Sequence, residues 1–326
     1  MSAVERAPGT TPAATLRILA VDGGQSSIRV RHSEADEAIE TEGVSRLPDS
    51  VDRVVGAVEA AWISLGRPVV DRAVLGLTTA PADPTAARAI AARVGTIMDA
   101  AEVWLCDDAV TSHAGALSLG WGVSVVAGTG VACLAVPVQG EPRIVGGHGY
   151  LIGDEGGAFW IGREGIRAAL RATDGRGAPT ALTELAAARF DGLEGLHVRL
   201  HDEARPVDAI ARFATDVLDA AATDGQAESI VRAAAAELHA LVASASRVAH
   251  AGARAEEPTP VGLGGRLLAA PNALRSALDS RLAADPTLAP RTADLPPLDG
   301  AMLLGRQADP GRYRSLVHVW HAGRSA

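Results

Sequence analysis

Short apolar runs in residues 16–106 alternate with longer stretches in which apolar positions recur at near-helical spacing. Runs that are continuous or alternate with polar residues predict strands, and a recurrence every three or four positions predicts a helix. The predicted order is three strands, then helix, strand, helix and strand, over residues 16–21, 28–31, 32–42, 51–65, 69–77, 84–98 and 102–106. This order predicts a mixed sheet with a hairpin at one side and parallel strands after it.

A similar pattern then starts again, which predicts a second half related to the first. Strands at residues 123–127 and 131–136 flank a glycine turn, and a third strand around 143–145 leads into a glycine-rich loop. The chain is predicted to be mostly helical from there to about residue 253. A short strand at 258–263, a helix to about 282 and a helix at about 298–304 follow, and the last residues give no clear pattern.

Length and composition agree with a protein of two ordinary domains. The chain has 326 residues, 48% of them hydrophobic but only 3% aromatic, so its cores must rest on Ala, Val, Leu and Ile. The net charge of −9, without a dense basic stretch, argues against a nucleic-acid partner. Residues 1–14 are predicted to be a disordered leader without a signal-peptide core. No apolar run approaches the ~20 residues of a membrane span, so we expect a soluble cytoplasmic protein.

The chain contains no lysine, because all 30 of its basic residues are arginine. This absence excludes a Walker A lysine, a Schiff-base lysine and the phosphate-binding lysine of protein kinases. Cys106 and Cys133 form neither a CxxC pair nor a zinc-binding spacing, and both lie in apolar runs, so we expect them to be buried and reduced. His113, His148, His197 and His201 likewise show no metal-ligand spacing.

Two glycine turns could hold phosphates without lysine. The first follows a strand and consists of Asp22, Gly23, Gly24, Gln25 and Ser26. Such a turn can direct backbone amides at an anion, and Asp22 at the strand end could hold a hydrated magnesium ion. An ordinary Asp-Gly hairpin turn would have the same sequence. The second turn, in the other half, consists of Gly128, Thr129 and Gly130.

Candidate functional residues also lie directly after two further strands. Asp107 and Asp108 end the strand at residues 102–106, where one carboxylate could accept a hydroxyl proton as a general base. Alternatively, either aspartate caps the following helix. Gly264 and Gly265 follow the strand at residues 258–263 and would let a flat ligand such as adenine approach the backbone.

The glycine-rich loop of residues 145–157 contains an adjacent carboxylate pair, Asp154 and Glu155. A helix is predicted to begin at Glu155, with Asp154 at its N-cap. Asp154 then either has only this capping role or faces a pocket and binds a polyol. His148 lies inside the same loop and could contact a ligand.

These motifs, in this order, resemble the BadF/BadG/BcrA/BcrD-type ATPase family of the sugar kinase, heat-shock chaperone and actin superfamily, and within it the N-acetylglucosamine kinases. The resemblance runs from about Leu16 to Gly305. It implies an α/β fold of two actin-like, ribonuclease H-like domains with an ATP and sugar cleft between them. It also implies ATP and Mg²⁺ as cofactors, a small sugar as substrate, and a chain that could form a homodimer. From the charge and the absence of long apolar runs we expect neither nucleic-acid nor membrane partners.

The resemblance also implies roles for individual residues. Both glycine turns contact the phosphates, Gly264 and Gly265 lie against adenosine, and Asp108, directly before an alanine, is the catalytic base and contacts the sugar. The remaining sugar contacts implied are Gly147, His148, Gly149 and Asp154. The implied domains are residues 15–117, completed by a C-terminal helix at 298–308, and residues 118–297, with a helical insertion at about 155–253.

Three departures from the family pattern bear on the substrate. The first turn reads Gly-Gln-Ser instead of Gly-Gly-Thr, and His148 stands where N-acetylglucosamine kinases often have tryptophan. A Gly–Asn sugar-contact segment is not visible at residues 42–49. The sequence therefore supports the reaction type, phosphoryl transfer, better than it supports N-acetylglucosamine as the acceptor of the phosphate. The alternatives are an iron–sulfur ATPase that activates a dehydratase or reductase, and a sugar-sensing protein without catalysis.

Overall fold

The computed structural model describes residues 16–24, 27–43, 50–78, 80–81, 83–254 and 256–323. The predicted leader, residues 1–14, and most of the segment examined for a Gly–Asn sugar contact lie outside these ranges. Within them the chain forms two mixed sheets with helices packed on their faces.

The first sheet has the strand order β11-β5-β4-β1-β2-β3 among the described residues. Strands β1, β4 and β5 are parallel, while β2, β3 and β11 run antiparallel to their neighbours. The elements of this part are β1 (Ile18–Gly23), β2 (Ser27–His32), β3 (Ile39–Glu42), α1 (Ser50–Ser64), β4 (Arg72–Leu77), α2 (Pro84–Met98), β5 (Glu102–Cys106) and α3 (Asp108–Ala116). The hairpin followed by parallel strands is therefore confirmed, and α2 and β5 have the predicted bounds.

The second sheet has the order β10-β9-β6-β7-β8, in which β6, β9 and β10 are parallel. Its elements are β6 (Gly122–Ala127), β7 (Val131–Val136), β8 (Arg143–Gly146), α4 (Ala158–Thr173), α5 (Leu182–Arg189), α6 (Leu196–Asp202), α7 (Pro206–Ala220), α8 (Gly225–Ala249), β9 (Thr259–Gly264), α9 (Arg266–Ala269), α10 (Ala273–Ala283) and β10 (Leu288–Thr292). The predicted second hairpin and the helical stretch after it are both present.

The chain ends back at the first sheet, where it forms α11 (Pro297–Gly305), a 3₁₀ segment (Gly311–Leu316) and β11 (Val317–His321). Helix α11 packs against α3, β1 and β4, and β11 pairs with β5. The completion of the first half by this helix stays a prediction. The predicted domain boundary, between residues 117 and 118, falls in the turn between α3 and β6 and stays a prediction.

Helices α3 and α11 approach each other backbone to backbone. A Cβ atom added at Gly300 would lie 2.0 Å from the carbonyl oxygen of Thr111 and 2.5 Å from the amide nitrogen of Gly115. A Cβ added at Gly115 would lie 2.8 Å from the carbonyl oxygens of Leu295 and Pro296. Glycine at these positions therefore permits a helix contact that even alanine would force apart.

We expect Gly300→Ala to lower the free energy of unfolding by about 1–3 kcal/mol, because the added methyl group overpacks this contact. Gly56→Ala is the matched control, since Gly56 lies in α1 with no atom within 4 Å of an added Cβ. That control should be neutral or stabilising by up to about 1 kcal/mol, because alanine is the better helix former. Urea unfolding of both variants measures the difference. Equal stability of the two would show that α3 and α11 are not in close contact.

Candidate active site

The first glycine turn closes the β1–β2 hairpin. The Gly24 amide donates to the carbonyl oxygen of Ser27 at 2.8 Å, and Gln25 and Ser26 lie outside the described residues. Gly23 is enclosed, because an added Cβ would lie 2.4 Å from a side-chain methyl of Leu77. The turn sits at the carboxyl end of β1, which is the edge where open α/β sheets bind ligands.

Asp22 is buried at this strand end and forms an ion pair with Arg29, its cross-strand neighbour on β2. Burial raises the pKa of the Asp22 carboxyl, and the Arg29 guanidinium opposes that rise. No group of three His, Cys, Asp or Glu side chains in the described parts of the chain could hold a metal ion. The single carboxylate of Asp22 is compatible with magnesium, which commonly keeps several waters and takes only one or two protein carboxylates besides substrate phosphates.

The two aspartates after β5 have different environments. Asp107 is the N-cap of α3, and its side chain accepts a hydrogen bond from the Ala109 amide at 3.0 Å. Asp108 is the first residue of the helix, and its Oδ2 accepts a hydrogen bond from the Thr78 hydroxyl at 2.5 Å. Capping therefore falls to Asp107, and the carboxylate of Asp108 is left at the edge of the sheet.

The Asp108 carboxyl is only partly exposed, and its surroundings favour the protonated form. Burial, followed by the negative charge of Asp107, raises its pKa to about 8, while the hydrogen bond from Thr78 works in the opposite direction. The charge of Asp22 contributes a further rise. A carboxyl with a raised pKa at the ligand-binding edge of a sheet has the properties expected of a general base.

Thr78, which the sequence analysis did not single out, connects Asp108 to the first glycine turn. Its amide donates to the Gly23 carbonyl oxygen at 2.9 Å, and its hydroxyl lies 3.3 Å from the same oxygen. Thr78 directly follows β4, and β4 is the parallel neighbour of β1. Its position after a buried parallel strand was the signal that could have identified it.

The second glycine turn closes the β6–β7 hairpin, with the Gly128 amide donating to the Gly130 carbonyl oxygen at 2.9 Å. The carbonyl oxygens of Gly128 and Thr129 accept hydrogen bonds from Ala158 and Phe159 at 2.9 and 3.0 Å. These are the first residues of α4, so the turn satisfies amides at the beginning of that helix.

The predicted start of this helix at Glu155 is therefore wrong. Helix α4 begins at Ala158 with Gly157 as its N-cap, and that cap makes no side-chain hydrogen bond. Asp154 and Gly156 both have positive φ angles, 60° and 85°, which a right-handed helix does not allow. Asp154 is consequently not the N-cap, and its carboxylate is directed elsewhere.

The glycine-rich loop folds back onto the second glycine turn. A Cβ added at Gly130 would lie 2.2 Å from Oδ2 of Asp154, so this carboxylate packs directly on the Gly130 backbone. Gly147 and His148 are exposed, and Gly149 is partly exposed with a φ of 82°. The structure thus brings Asp154 to the second turn, while Gly147 and His148 remain open to solvent.

Gly264 and Gly265 differ in their surroundings, although both follow β9. An added Cβ at Gly265, where φ is 86°, would lie 2.3 Å from the carbonyl oxygen of Ala127. At Gly264 the nearest atom would be 3.7 Å away, at Val126. Gly265 is therefore required for close packing beside the second turn, while a Cβ at Gly264 would make only ordinary van der Waals contacts.

The predicted site residues form two groups. Asp22, Gly23, Gly24 and Asp108 lie where the parallel strands of the first sheet end, and Gly128–Gly130, Asp154, Gly264 and Gly265 lie together at the second sheet. Cys106 and Cys133 are fully buried, as predicted, and burial raises the pKa of both thiols. No helix within the described ranges is long and apolar enough to cross a membrane.

The chain is similar to known proteins over most of its length. The sequence model of the BadF/BadG/BcrA/BcrD ATPase family matches residues 19–305. The N-acetylmuramic acid/N-acetylglucosamine kinase of Clostridium acetobutylicum is 28% identical over 195 residues, which cover 57% of this chain and 62% of that relative. The match thus spans less than two thirds of the relative's length.

Two solved structures share the fold. A candidate N-acetylglucosamine kinase from Chromobacterium violaceum is 26% identical, with a TM-score of 0.66 over 90% of this chain and 100% of that chain. A second candidate N-acetylglucosamine kinase, from Porphyromonas gingivalis, is 15% identical, with a TM-score of 0.69 over 90% and 99% of the two chains. The predicted α/β class with two actin-like halves is confirmed by these and further sugar-kinase structures.

Proposed function

The chain belongs to the BadF/BadG/BcrA/BcrD ATPase family, and from this membership we propose that it is an ATP-dependent sugar kinase. It transfers the γ-phosphate of ATP to a hydroxyl group of N-acetylglucosamine or a related hexose. The observation that carries this proposal is the partly exposed Asp108 carboxylate, which Thr78 links to the Gly23 backbone of the first turn. A proton acceptor next to a glycine turn is the arrangement that phosphoryl transfer to a hydroxyl needs.

In the proposed mechanism Asp108 accepts the proton of the sugar hydroxyl as that oxygen attacks the γ-phosphorus. The bond between this phosphorus and the bridging oxygen of ADP breaks in line with the attack, so a phosphosugar and ADP form. Most of the catalysis then comes from positioning and charge stabilisation. Asp22 would hold a magnesium ion, which would supply positive charge next to the phosphates.

The nucleotide lies between the two glycine turns in this proposal. The first turn, of Gly23, Gly24, Gln25 and Ser26, is proposed to contact the phosphates from one side, and the second turn, of Gly128, Thr129 and Gly130, from the other. Adenosine lies against Gly264 and Gly265. Support comes from the Ala127 contact of Gly265, which brings the proposed adenosine and phosphate segments together.

The sugar is held by Asp154, Gly147, His148 and Gly149 in this proposal, next to Asp108. Carboxylate oxygens accept hydrogen bonds from sugar hydroxyls, and Asp154 would do so here. Its φ angle is positive, a conformation that few residue types other than glycine adopt. His148 is exposed and could stack on or bond to the sugar. The proposal also takes the protein to be cytoplasmic and leaves homodimer formation to be measured.

Gly264→Val is expected to raise the KM for ATP by about tenfold, since a side chain at this face would occupy the space proposed for adenosine, which needs close approach to the backbone. The Cβ itself would make only ordinary van der Waals contacts, with its nearest atom 3.7 Å away. The KM for the sugar should change little. Steady-state kinetics with each substrate varied measures both constants, and a thermal melt checks the fold. A change in the sugar KM alone would reverse the assignment of the two sites.

The proposal as a whole is tested by a coupled assay of ADP formation over a panel of hexoses and amino sugars. We expect sugar-dependent ADP formation that is highest for one amino sugar, with a phosphosugar detected by mass spectrometry. ATP hydrolysis that is independent of every sugar would instead favour the activator ATPase. The buried cysteines oppose that alternative, because neither thiol reaches the surface where a cluster between subunits would form.

A further inference from the structure

Thr78 lies between the first glycine turn and Asp108, and the proposed mechanism gives its hydroxyl no step of its own. Its hydroxyl lies 2.5 Å from Oδ2 of Asp108 and 3.3 Å from the carbonyl oxygen of Gly23. A threonine hydroxyl has a single proton to donate, and the shorter contact is the stronger hydrogen bond. The proton therefore goes to the Asp108 carboxylate.

The backbone of Thr78 is also fixed, which makes its hydroxyl a rigid support. The Thr78 amide donates to Gly23 at 2.9 Å, directly after the paired residues Gly23 and Leu77 of strands β1 and β4. The threonine side chain can rotate only about χ1, and its branched Cβ restricts that rotation. One residue thus connects the backbone of the proposed phosphate turn to the carboxylate of the proposed base.

We propose that Thr78 is a positioning residue, which holds the Asp108 carboxylate in the orientation that receives the proton of the acceptor hydroxyl. This inference rests on the proposed kinase function. The hydroxyl bonds Oδ2 and so fixes the orientation of the whole carboxylate. A general base must lie within hydrogen-bond reach of the proton it removes, and a carboxylate without this support could rotate away.

The test compares Thr78→Val, which removes the hydroxyl at nearly constant shape, with Thr78→Ser, which keeps it. A hydrogen bond to a charged group contributes about 1.5–3 kcal/mol, so Thr78→Val should lower kcat by about 10- to 100-fold. The KM values for ATP and sugar should change by less than about threefold, because the ground-state contacts remain. Thr78→Ser should recover most of the activity.

Thr111→Val is the matched control near the same residue. The Thr111 hydroxyl also bonds Asp108, but at the main-chain carbonyl oxygen, 3.1 Å away. Its loss should leave kcat within about threefold of wild type, since the carboxylate keeps its partner. An equal loss of kcat in both valine variants would overturn the proposal, because it would show a general disturbance of α3. A fully active Thr78→Val would overturn it as well.

A second readout does not depend on any sugar being phosphorylated. A hydrogen bond to the charged form lowers the pKa of a carboxyl, so Thr78→Val should raise the pKa of Asp108, and Thr78→Ser should leave it near wild type. Carbon-13 NMR of labelled aspartate, assigned with Asp108→Asn, measures this pKa in the protein without substrates. The charged groups that act on Asp108 are Asp107 and Asp22, which are the same in all variants.

The two readouts separate the possible failures. If wild type phosphorylates no sugar while Thr78→Val still raises the pKa of Asp108, the proposed kinase function fails and the contact between the two side chains stands. If wild type is an active kinase and the pKa and kcat of Thr78→Val equal those of wild type, the positioning role fails alone.

Discussion

Asp108→Asn is expected to lower kcat by about 10²- to 10⁴-fold, the usual contribution of a general base. The amide keeps the shape of the side chain but cannot take the hydroxyl proton, so the KM for ATP should change little. Steady-state kinetics of the purified variant, with folding checked by thermal melt, measures the effect. Asp107→Asn is the matched control, since asparagine caps a helix about as well as aspartate.

The control should therefore keep nearly normal activity and stability. If instead Asp107→Asn were inactive and Asp108→Asn nearly normal, the assignment of the base would be wrong by one residue. Activity in both variants on the true substrate would contradict a carboxylate base at this strand end.

The raised pKa of Asp108 also leads to a prediction for the pH dependence of wild-type activity. Burial, with the Asp107 charge, raises the pKa of Asp108, and only the ionised carboxylate can accept a proton. The kcat/KM value should therefore fall as pH decreases through the neutral range, well above the ordinary pKa of an aspartate. A profile that stayed flat from neutral pH down to pH 5 would contradict this prediction.

Asp154→Asn is expected to raise the KM for the sugar by about 10- to 100-fold, because a hydrogen bond to a charged group is worth about 1.5–3 kcal/mol. Asparagine tolerates the left-handed backbone of this position, where φ is 60°. The loss can therefore be assigned to the carboxylate and not to the loop. Titration of the sugar at saturating ATP measures the change.

Glu155→Gln is the control for this variant, since it makes the same carboxylate-to-amide change at the exposed neighbouring position. Its sugar KM should equal that of wild type. A similar increase in both variants would mean that the charge of the loop as a whole attracts the substrate, and Asp154 would lose its specific role.

The sequence predicted much of the fold, because many of the relevant signals are local. Apolar runs and turns in residues 16–106 predicted the first hairpin and the parallel strands, and helix α2 begins at its proline directly after the Asp83 cap. Candidate residues at the ends of β1 and β5 followed from the same pattern, since parallel strands end at one edge.

The elements that the sequence did not predict depend on distant partners. Strand β11 forms by pairing with β5, about two hundred residues earlier in the chain. Strand β10 contains a proline, Pro290, and lies at the edge of the second sheet, where a missing amide is tolerated. The start of α4 was misplaced because carbonyl groups of the second glycine turn satisfy its first amides. Spacing along the helix alone could not show that.

The packing of the Asp154 carboxylate on Gly130 has a thermodynamic consequence for a kinase with two substrates. A sugar that binds the Asp154 carboxylate would change its contact with Gly130, which belongs to the turn proposed to bind the phosphates of ATP. Each substrate would then alter the affinity for the other, and linkage requires the factor to be identical in both directions. The binding of a sugar and of a non-hydrolysable nucleotide would thus be heterotropically coupled, and one coupling free energy would describe both orders of addition.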